Sequence, residues 1–335
     1  MPLLADLTLI IPTYRRPKLL AMLLQLLASQ PIRLRTLIAD GSVDEIQEQN
    51  RISARQYPEA VIHLSFPSTL AIELRLMEAL KQVETEYCVV CADDDIILPE
   101  GVAQSVEFLR SHPDFVACHG PYYGVSRDPQ ELHINVEYAV APIDLSSPFA
   151  RMLEICARYQ SPFYSVQRTA AMVNAFVSPD DVAPTHFWEL FNALSVVFQG
   201  KVMALNVPYY LRNQQLGDRP EFIGDPNNFI VADAKRYLQE FSGFRNYATR
   251  FFRSLSTEDV DWERRIDIAY FLYLSRSIAP ARFIWLMEET GMISQGDAST
   301  LKERTNLPNA AEIPGEYLMS VLRPMVALGW PTYDS

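Results

Sequence analysis

The sequence predicts an α/β protein: a mostly parallel sheet flanked by helices, followed by an all-helical C-terminal lobe. Three observations carry that prediction. Short apolar runs without alternation recur through the first two thirds of the chain, the pattern of strands buried on both faces. Between them lie stretches with apolar residues at helical spacing, so the order reads strand, helix, strand, helix, as in βαβ units. Beyond about Asn213 only helical patterns remain.

Residues 6–13 read as the first strand, stopped by Pro12. Tyr14-Arg15-Arg16-Pro17 is a turn, with Pro17 placed to open a helix. Leu19, Leu20, Leu23, Leu24 and Leu27 form the apolar stripe of that helix. Residues 35–39 are a second strand, ending at Asp40-Gly41-Ser42. A helix over 46–56, a strand over 60–66 and a helix over 70–83 carrying Arg75 come next. The apolar run 87–92 then ends in three carboxylates, Asp93, Asp94 and Asp95, before Pro99 stops the segment. A helix over 102–109 and a strand over 115–118 follow. Residues 122–147 are irregular, with room for a small hairpin. Residues 149–159 are helical, 163–166 strand-like, 185–198 helical and 201–207 a strand, with 208–212 closing the sheet-forming part. Gly217, Pro220, Gly224 and Pro226 mark a linker. Helices are expected beyond it over 228–241, 245–255, 262–277, 281–290, 298–304 and 316–328. The chain divides into a sheet-forming domain, 1–213, and a helical lobe, 214–335.

Composition narrows the classes. At 335 residues, 49% hydrophobic and 21% charged, the chain is an ordinary globular protein. Its 29 Lys and Arg against 41 Asp and Glu leave a net charge of −12, which argues against a nucleic-acid binder. No run approaches the ~20 apolar residues of a membrane span. Residues 1–6 lack a basic signal-peptide segment, and the apolar run 7–11 is too short for one. Cys88 and Cys91 are spaced C-x-x-C, but on a strand they face opposite sides of the sheet. No second pair or nearby His completes a zinc site, so all four cysteines read as reduced, buried thiols of a cytoplasmic protein.

An open α/β sheet places its ligand at the C-terminal ends of its strands. Thr13, Asp40 and the 93–95 cluster would therefore share one edge, around a nucleotide-sized pocket. In an extended chain Asp93 and Asp95 converge on one target while Asp94 points elsewhere. Close carboxylates repel unless a proton or cation sits between them, and the obvious cation is Mg²⁺ or Mn²⁺. The plainer reading is an acidic loop capping the helix near Pro99. There is no G-x-G-x-x-G and no Walker A loop, which argues against a dinucleotide dehydrogenase or a P-loop NTPase.

The segments IIPTYRRP, IADGSVD and CADDDIILP, with Arg75 in LRLMEAL, resemble in order the motifs of inverting glycosyltransferases of the GT-A fold, family 2-like, the group that includes bacterial polysaccharide-building enzymes. The resemblance covers roughly residues 6–212. It implies a Rossmann-like GT-A sheet and a metal-assisted sugar transfer from a nucleotide-sugar donor to a glycan or lipid-linked acceptor, in polysaccharide or glycoconjugate synthesis. Thr13, Asp40 and Arg75 would hold the nucleotide base. Asp93 would meet the ribose or a metal-bound water, Asp94 would stand beside it at the donor, and Asp95 would ligate Mn²⁺ or Mg²⁺. The general base of such enzymes precedes a glycine by about eleven residues, and Glu189 stands eleven before Gly200. Trp188 replaces the acid that usually precedes the base, and Asp180 and Asp181 are the reserve candidates. None of the five histidines follows the base helix; Arg212 stands near where a histidine ligand is common and would clamp a diphosphate instead. His119 and His186 are read as structural before being assigned to an acceptor site. The helical lobe would shape the acceptor site, a homodimer contact or a peripheral contact at the inner membrane face. Two other readings remain at this stage: a nucleotidyltransferase, and a non-catalytic protein that binds nucleotide-sugar or acts as a scaffold.

Overall fold

The computed structural model describes residues 3–57, 59–127, 131–138, 141–183, 186–214, 230, 232–275, 280–305 and 313–331. The expected linker at 217–226 and the first residues of the helix expected over 228–241 lie outside them.

The chain alternates as its periodicity requires. Strand β1 (Leu3–Thr13) leads to α1 (Pro17–Ser29), β2 (Arg33–Asp40), α2 (Asp44–Arg55), β3 (Val61–Ser65), α3 (Ile72–Leu80) and β4 (Tyr87–Val90). Next come β5 (Ile96–Ile97), α4 (Pro99–Ser111), β6 (Phe115–His119), the hairpin β7 (Tyr122–Arg127) and β8 (Leu132–Tyr138), and α5 (Pro148–Ala157). A 3₁₀ turn (Pro162–Tyr164), β9 (Val166–Arg168), α6 (Thr169–Ala175), α7 (His186–Gln199), β10 (Lys201–Ala204) and β11 (Tyr210–Asn213) complete the sheet-forming part. Pro17 and Pro99 sit in the first turns of α1 and α4, where no N–H is needed, and Ser147 caps α5 by accepting from the Ala150 N–H.

The main sheet has seven strands in the order β10-β6-β9-β4-β1-β2-β3, all parallel except β9, which runs against both its neighbours. Its inner strands, β4 and the C-terminal halves of β1 and β2, are buried on both faces, while the edge strands β3 and β10 are not. Leu7, Leu9 and Ile11 of β1 face α1 and α4, while Ile10 joins the core under α3, α5 and α7. Cys88 and Cys91 fall in opposite cores, as their spacing requires, and burial pushes the Cys88 thiol up to about 12. The last strand ends the sheet-forming part where the sequence places it, but outside the main sheet: β11 pairs with β5 and β7 in a second sheet, β5-β11-β7-β8. The two-residue β5 and short α6 carry too few residues to show a period.

The C-terminal helices are α8 (Ala234–Leu255), α9 (Trp262–Ser275), α10 (Pro280–Glu289), α11 (Gln295–Thr305) and α12 (Gly315–Ala327). Helices α8 to α11 extend the core under α5 and α7: Phe244, Phe252, Ile266 and Leu301 are fully buried in it. Helix α12 turns back to α1 and the second sheet, burying Leu318 and Leu322 against Leu19 and Leu26. Residues 228–241 and 245–255 were expected as two helices, but α8 runs on through Gly243. Phe244, Ala248 and Phe252 make one buried stripe, and that packing outweighs the glycine's preference for a break. No helix among the described residues is long and apolar enough to cross a membrane.

Two arginines, the buried Arg151 and the half-buried Arg304, fix the frame around α7 and α5. Arg151 donates to the carbonyls of Val197 (2.7 Å) and Phe198 (3.1 Å) at the end of α7, and to Leu145 (2.7 Å) and Ser146 (3.0 Å). It thereby satisfies carbonyls that the helix end would otherwise orphan. Arg304 of α11 meets Glu154 at 2.9 Å and Asp144 at 2.6 Å.

Gly243 is exposed on α8, and a Cβ added there meets only the Asp181 carbonyl at 4.0 Å. Gly243→Ala is expected to stabilise the fold by roughly 0.5–1 kcal/mol, the usual helical Gly-to-Ala difference, read from denaturant unfolding.

Candidate functional site

The C-terminal ends of β1 and β4 open onto a cavity of ≈ 680 Å³, the size of a small-molecule site. One wall is polar: Thr13, Arg16, Arg75, Asp93 and Asp94. The other carries Glu189 among Tyr138, Phe163, Tyr164 and Trp188, and Arg212 also lines the space. Of the sequence-derived candidates, Thr13, Arg75, Asp93, Asp94, Glu189 and Arg212 reach this cavity. Asp40 and Asp95 do not.

The acidic triplet is a turn, not an extended strand, so the alternation read from sequence fails locally. Asp93 accepts from the Thr13 hydroxyl at 2.6 Å and from Arg16 Nη1 at 3.0 Å. Asp94 accepts from the same Arg16 nitrogen at 2.6 Å. Asp93 and Asp94 thus converge, while Asp95 turns inward. Its Oδ1 accepts from the Asn213 N–H at 2.8 Å and its Oδ2 from the Tyr210 hydroxyl at 2.9 Å. Burial first, then the charge of Asp94, raises the carboxyls of both Asp93 and Asp95 above the ordinary value. Burial opposes the Arg16 charge, but Asp93 and Asp94 prevail and raise its pKa.

The fit to a divalent ion follows from this donor set. No group of three or more His, Cys, Asp or Glu side chains among the described residues is arranged as a metal site. Two cavity-facing carboxylates nevertheless aim at a single point, now held by a guanidinium nitrogen, and one or two carboxylates with substrate phosphates are what Mg²⁺ or Mn²⁺ commonly use. The pair Asp93–Asp94 fits such an ion. Asp95, with both oxygens engaged by protein donors, braces the turn against β11.

Asp40 is fully buried. Its Oδ1 accepts from the Ser42 N–H at 2.8 Å, and its Oδ2 from Asn50 at 2.8 Å and His63 at 2.9 Å. Burial works against its charge, but these bonds, the one to His63 foremost, hold its carboxyl below the usual range. Arg75 crosses behind Gly41 and donates to the carbonyls of Thr13 (2.8 Å) and Ala39 (3.3 Å). A Cβ on Gly41 would stand 2.5 Å from that guanidinium, so only glycine admits the crossing. Its Nε makes no hydrogen bond among the described residues.

Glu189, in the first turn of α7, is half-buried and accepts from the Tyr159 hydroxyl at 3.1 Å. Burial and then Glu189 push the Tyr159 phenol far up, so it stays a donor. Trp188 donates to the Val177 carbonyl at 2.9 Å and packs edge-on to Phe176. Arg212, half exposed, meets Glu137 at 3.5 Å. Asp180 and Asp181 are exposed in the turn before α7. His119 and His186 are buried, bonded to the Gly120 carbonyl and the Tyr270 hydroxyl, and outside the cavity lining.

Sequence reasoning missed Arg16, Tyr159 and Trp330, whose indole donates to the Asp94 carbonyl at 2.9 Å. Arg16 lay in the first turn that had already been singled out, and the Arg15-Arg16 pair on the same sheet edge as a triplet of acids was its available signal. Nothing in the sequence links Trp330 to Asp94 across 236 positions.

Asp40→Asn is expected to lower stability at pH 7 by about 1–3 kcal/mol, because one buried donor loses its acceptor. The sign with pH follows from the lowered carboxyl: wild type holds this contribution above pH 3.8 and loses it as pH falls through the folded value below that. Denaturant unfolding should show the gap between the two proteins constant down to about pH 5 and closing under more acid conditions.

Residues 8–176 match the family model described as Glycosyl transferase family 2, from within β1 to just past α6. No match was found among curated proteins. Among solved structures, the fold is similar to S. aureus TarS, with TM-score 0.53, 17% identity, and coverage of 82% of this chain and 44% of that one. The chain therefore spans less than half of that TarS chain. S. aureus TarS 1-349 in complex with UDP-GlcNAc gives TM-score 0.52 and 17% identity, covering 96% of this chain and 83% of that one. The mannosyltransferase PcManGT from Pyrobaculum calidifontis, in complex with GDP-Man and Mn²⁺, gives TM-score 0.48 and 13% identity, covering 96% and 85%. A GT-A sheet with an acidic turn at the end of its central strand and a family match that reaches six of its seven strands lead to one conclusion: the chain belongs to glycosyl transferase family 2.

Proposed function

We propose that this chain transfers a sugar, with inversion, from a nucleotide-sugar donor to a hydroxyl of a glycan or lipid-linked acceptor. The observation that carries the reading is one cavity with two unlike walls. Cations and the converging carboxylates Asp93 and Asp94 line one, and the half-buried Glu189 with aromatic faces lines the other. The first suits a nucleoside diphosphate, the second a sugar hydroxyl and ring.

In this reading Thr13 and Arg75 shape the base and ribose end of the cavity. Asp40 acts through the 41–42 loop that it braces. Arg212 clamps the diphosphate, its planar fork matching phosphate oxygens better than an ammonium would. Glu189 takes the proton of the acceptor hydroxyl while that oxygen bonds to the anomeric carbon and the bond to the diphosphate breaks, so the diphosphate leaves with the electron pair. Tyr159 fixes the carboxylate's direction by its hydrogen bond. A divalent ion on Asp93 and Asp94 would neutralise charge developing on the departing diphosphate. The helical lobe shapes the acceptor side in this reading, which the packing of α8 and α9 on the helices that carry Glu189 and precede Tyr159 supports.

Two measurements test the reading. Glu189→Gln is expected to lower kcat by about 10²–10⁴-fold, the usual worth of a general base, while calorimetry gives an unchanged donor affinity. An equal loss of donor binding would remove Glu189 from the base role. A thermal-shift panel of nucleoside diphosphates and their sugars, beginning with UDP-GlcNAc, is expected to show one nucleotide class stabilising the chain. At a hundredfold excess over Kd the gain is about 2.7 kcal/mol, larger with Mn²⁺ and reduced in Asp94→Ala. No shift with any nucleotide would sink the transferase assignment of the cavity.

A further inference from the structure

We propose that Arg16 is a built-in counter-cation: it occupies the Asp93–Asp94 pair in the free chain and gives it up to a divalent ion when a donor diphosphate draws the guanidinium away. The inference rests on the donor-binding reading above and adds an order of events to it.

Its basis is where one side chain sits. Asp93 Oδ1 and Asp94 Oδ2 approach a single atom, Arg16 Nη1, at 3.0 and 2.6 Å. A lone positive centre between two carboxylates is electrostatically what a metal ion would be there, so the two cannot occupy the point together. The contact is sheltered, with the Arg16 side chain 10% exposed and Asp93 5% exposed, so solvent screens it weakly. The remaining edge of the guanidinium, Nε and Nη2, makes no hydrogen bond among the described residues, although Arg16 lines the cavity. That edge is the forked donor pattern that takes phosphate oxygens bidentately.

The backbone is committed to this placement. Arg15, just before it, takes a φ of +58°, a left-handed conformation that costs a non-glycine residue about 1 kcal/mol. The Arg15 N–H is held by the Ser42 hydroxyl at 2.9 Å, and Arg75 holds the Thr13 carbonyl at 2.8 Å. The loop is anchored at Thr13 and Arg15, immediately before Arg16, and so aims that side chain at the end of β4. The side chain beyond that anchor is a flexible stem, free to swing while the loop stays. A diphosphate thus has two effects at once: it attracts the guanidinium and supplies further oxygen ligands to the metal. Coupling of this kind is reciprocal, so Mn²⁺ and diphosphate each tighten the other's binding.

The test is Mn²⁺ binding to the full chain, read by electron paramagnetic resonance of free Mn²⁺, first without nucleotide. Arg16→Gln is expected to bind Mn²⁺ roughly tenfold more tightly than wild type, since the ion no longer displaces a partly buried ion pair. Arg16→Met serves in its place if the Gln variant does not fold. Adding Asp94→Asn to either should abolish the gain. Arg16→Lys should stay close to wild type, because both carboxylates meet one nitrogen and an ammonium can stand there. Addition of a nucleoside diphosphate should then tighten Mn²⁺ binding strongly in wild type and by a smaller factor in Arg16→Gln. Equal or weaker Mn²⁺ binding in Arg16→Gln, with a nucleoside diphosphate still shifting the melting temperature of wild type, overturns the counter-cation role and leaves the donor reading standing. If no nucleoside diphosphate binds wild type with or without Mn²⁺, the donor reading falls and this inference falls with it.

Discussion

Three adjacent carboxylates at the end of a strand buried on both faces repel one another in a place where water screens little. Much of the architecture around the cavity answers that one constraint. Asp93 is held by Thr13 from β1 and Arg16 from the following turn, Asp94 by the same arginine, and Asp95 by Tyr210 and Asn213 of β11. Even the backbone takes part, since the Asp94 carbonyl accepts from Trp330 beyond α12. Three separate stretches of chain, 13–16, 210–213 and Trp330, therefore meet at one turn. The first two supply donors or a cation to the crowded carboxyls, and the third holds the backbone between them.

The same constraint explains the second sheet. A β11 added to the edge of the main sheet would take its two donors away from the buried Asp95, and an unsatisfied buried polar group costs about 1–3 kcal/mol. Pairing β11 with β5 instead lays Tyr210 and the Asn213 N–H directly against Asp95. The stacked rings of Tyr122, Tyr164, Tyr209 and Tyr210 then fill the space behind, giving the acidic turn a stiff aromatic floor. On the opposite wall, α7 is locked at its far end by Arg151 and at its near end by the Trp188 bond to Val177, so Glu189 projects from a fixed helix.

Much of the first two hundred residues was legible from period and punctuation alone. Both-face burial makes β1, β2 and β4 continuous apolar runs, and proline at the first helical turn marks α1 and α4. Elements too short to complete a period, β5 and α6, were invisible for that reason. The gap expected between 241 and 245 is absent because the buried Phe244–Ala248–Phe252 stripe outweighs the roughly 1 kcal/mol that a glycine costs inside a helix. In the site, the residue types were readable while their directions were not. Asp95 was expected to face a metal and Asp40 a base, yet in the structure both spend their oxygens on protein donors.

What the sequence by itself determined is the alternation of strand and helix, the edge of the sheet where polar loops gather, and the presence there of Thr13 and the carboxylates Asp93 and Asp94; Arg75 was placed there only by the family resemblance. The first three are consequences of local periodicity and of which strand ends carry charge, and they need no knowledge of distant contacts. Only the tertiary structure decided which carboxylates converge, that Arg16 stands between them, that Tyr159 reaches Glu189, and that Trp330 closes on the acidic turn. Each depends on side-chain direction at a turn or on a contact across tens to hundreds of positions. A linear pattern of period two or 3.6 carries no record of either.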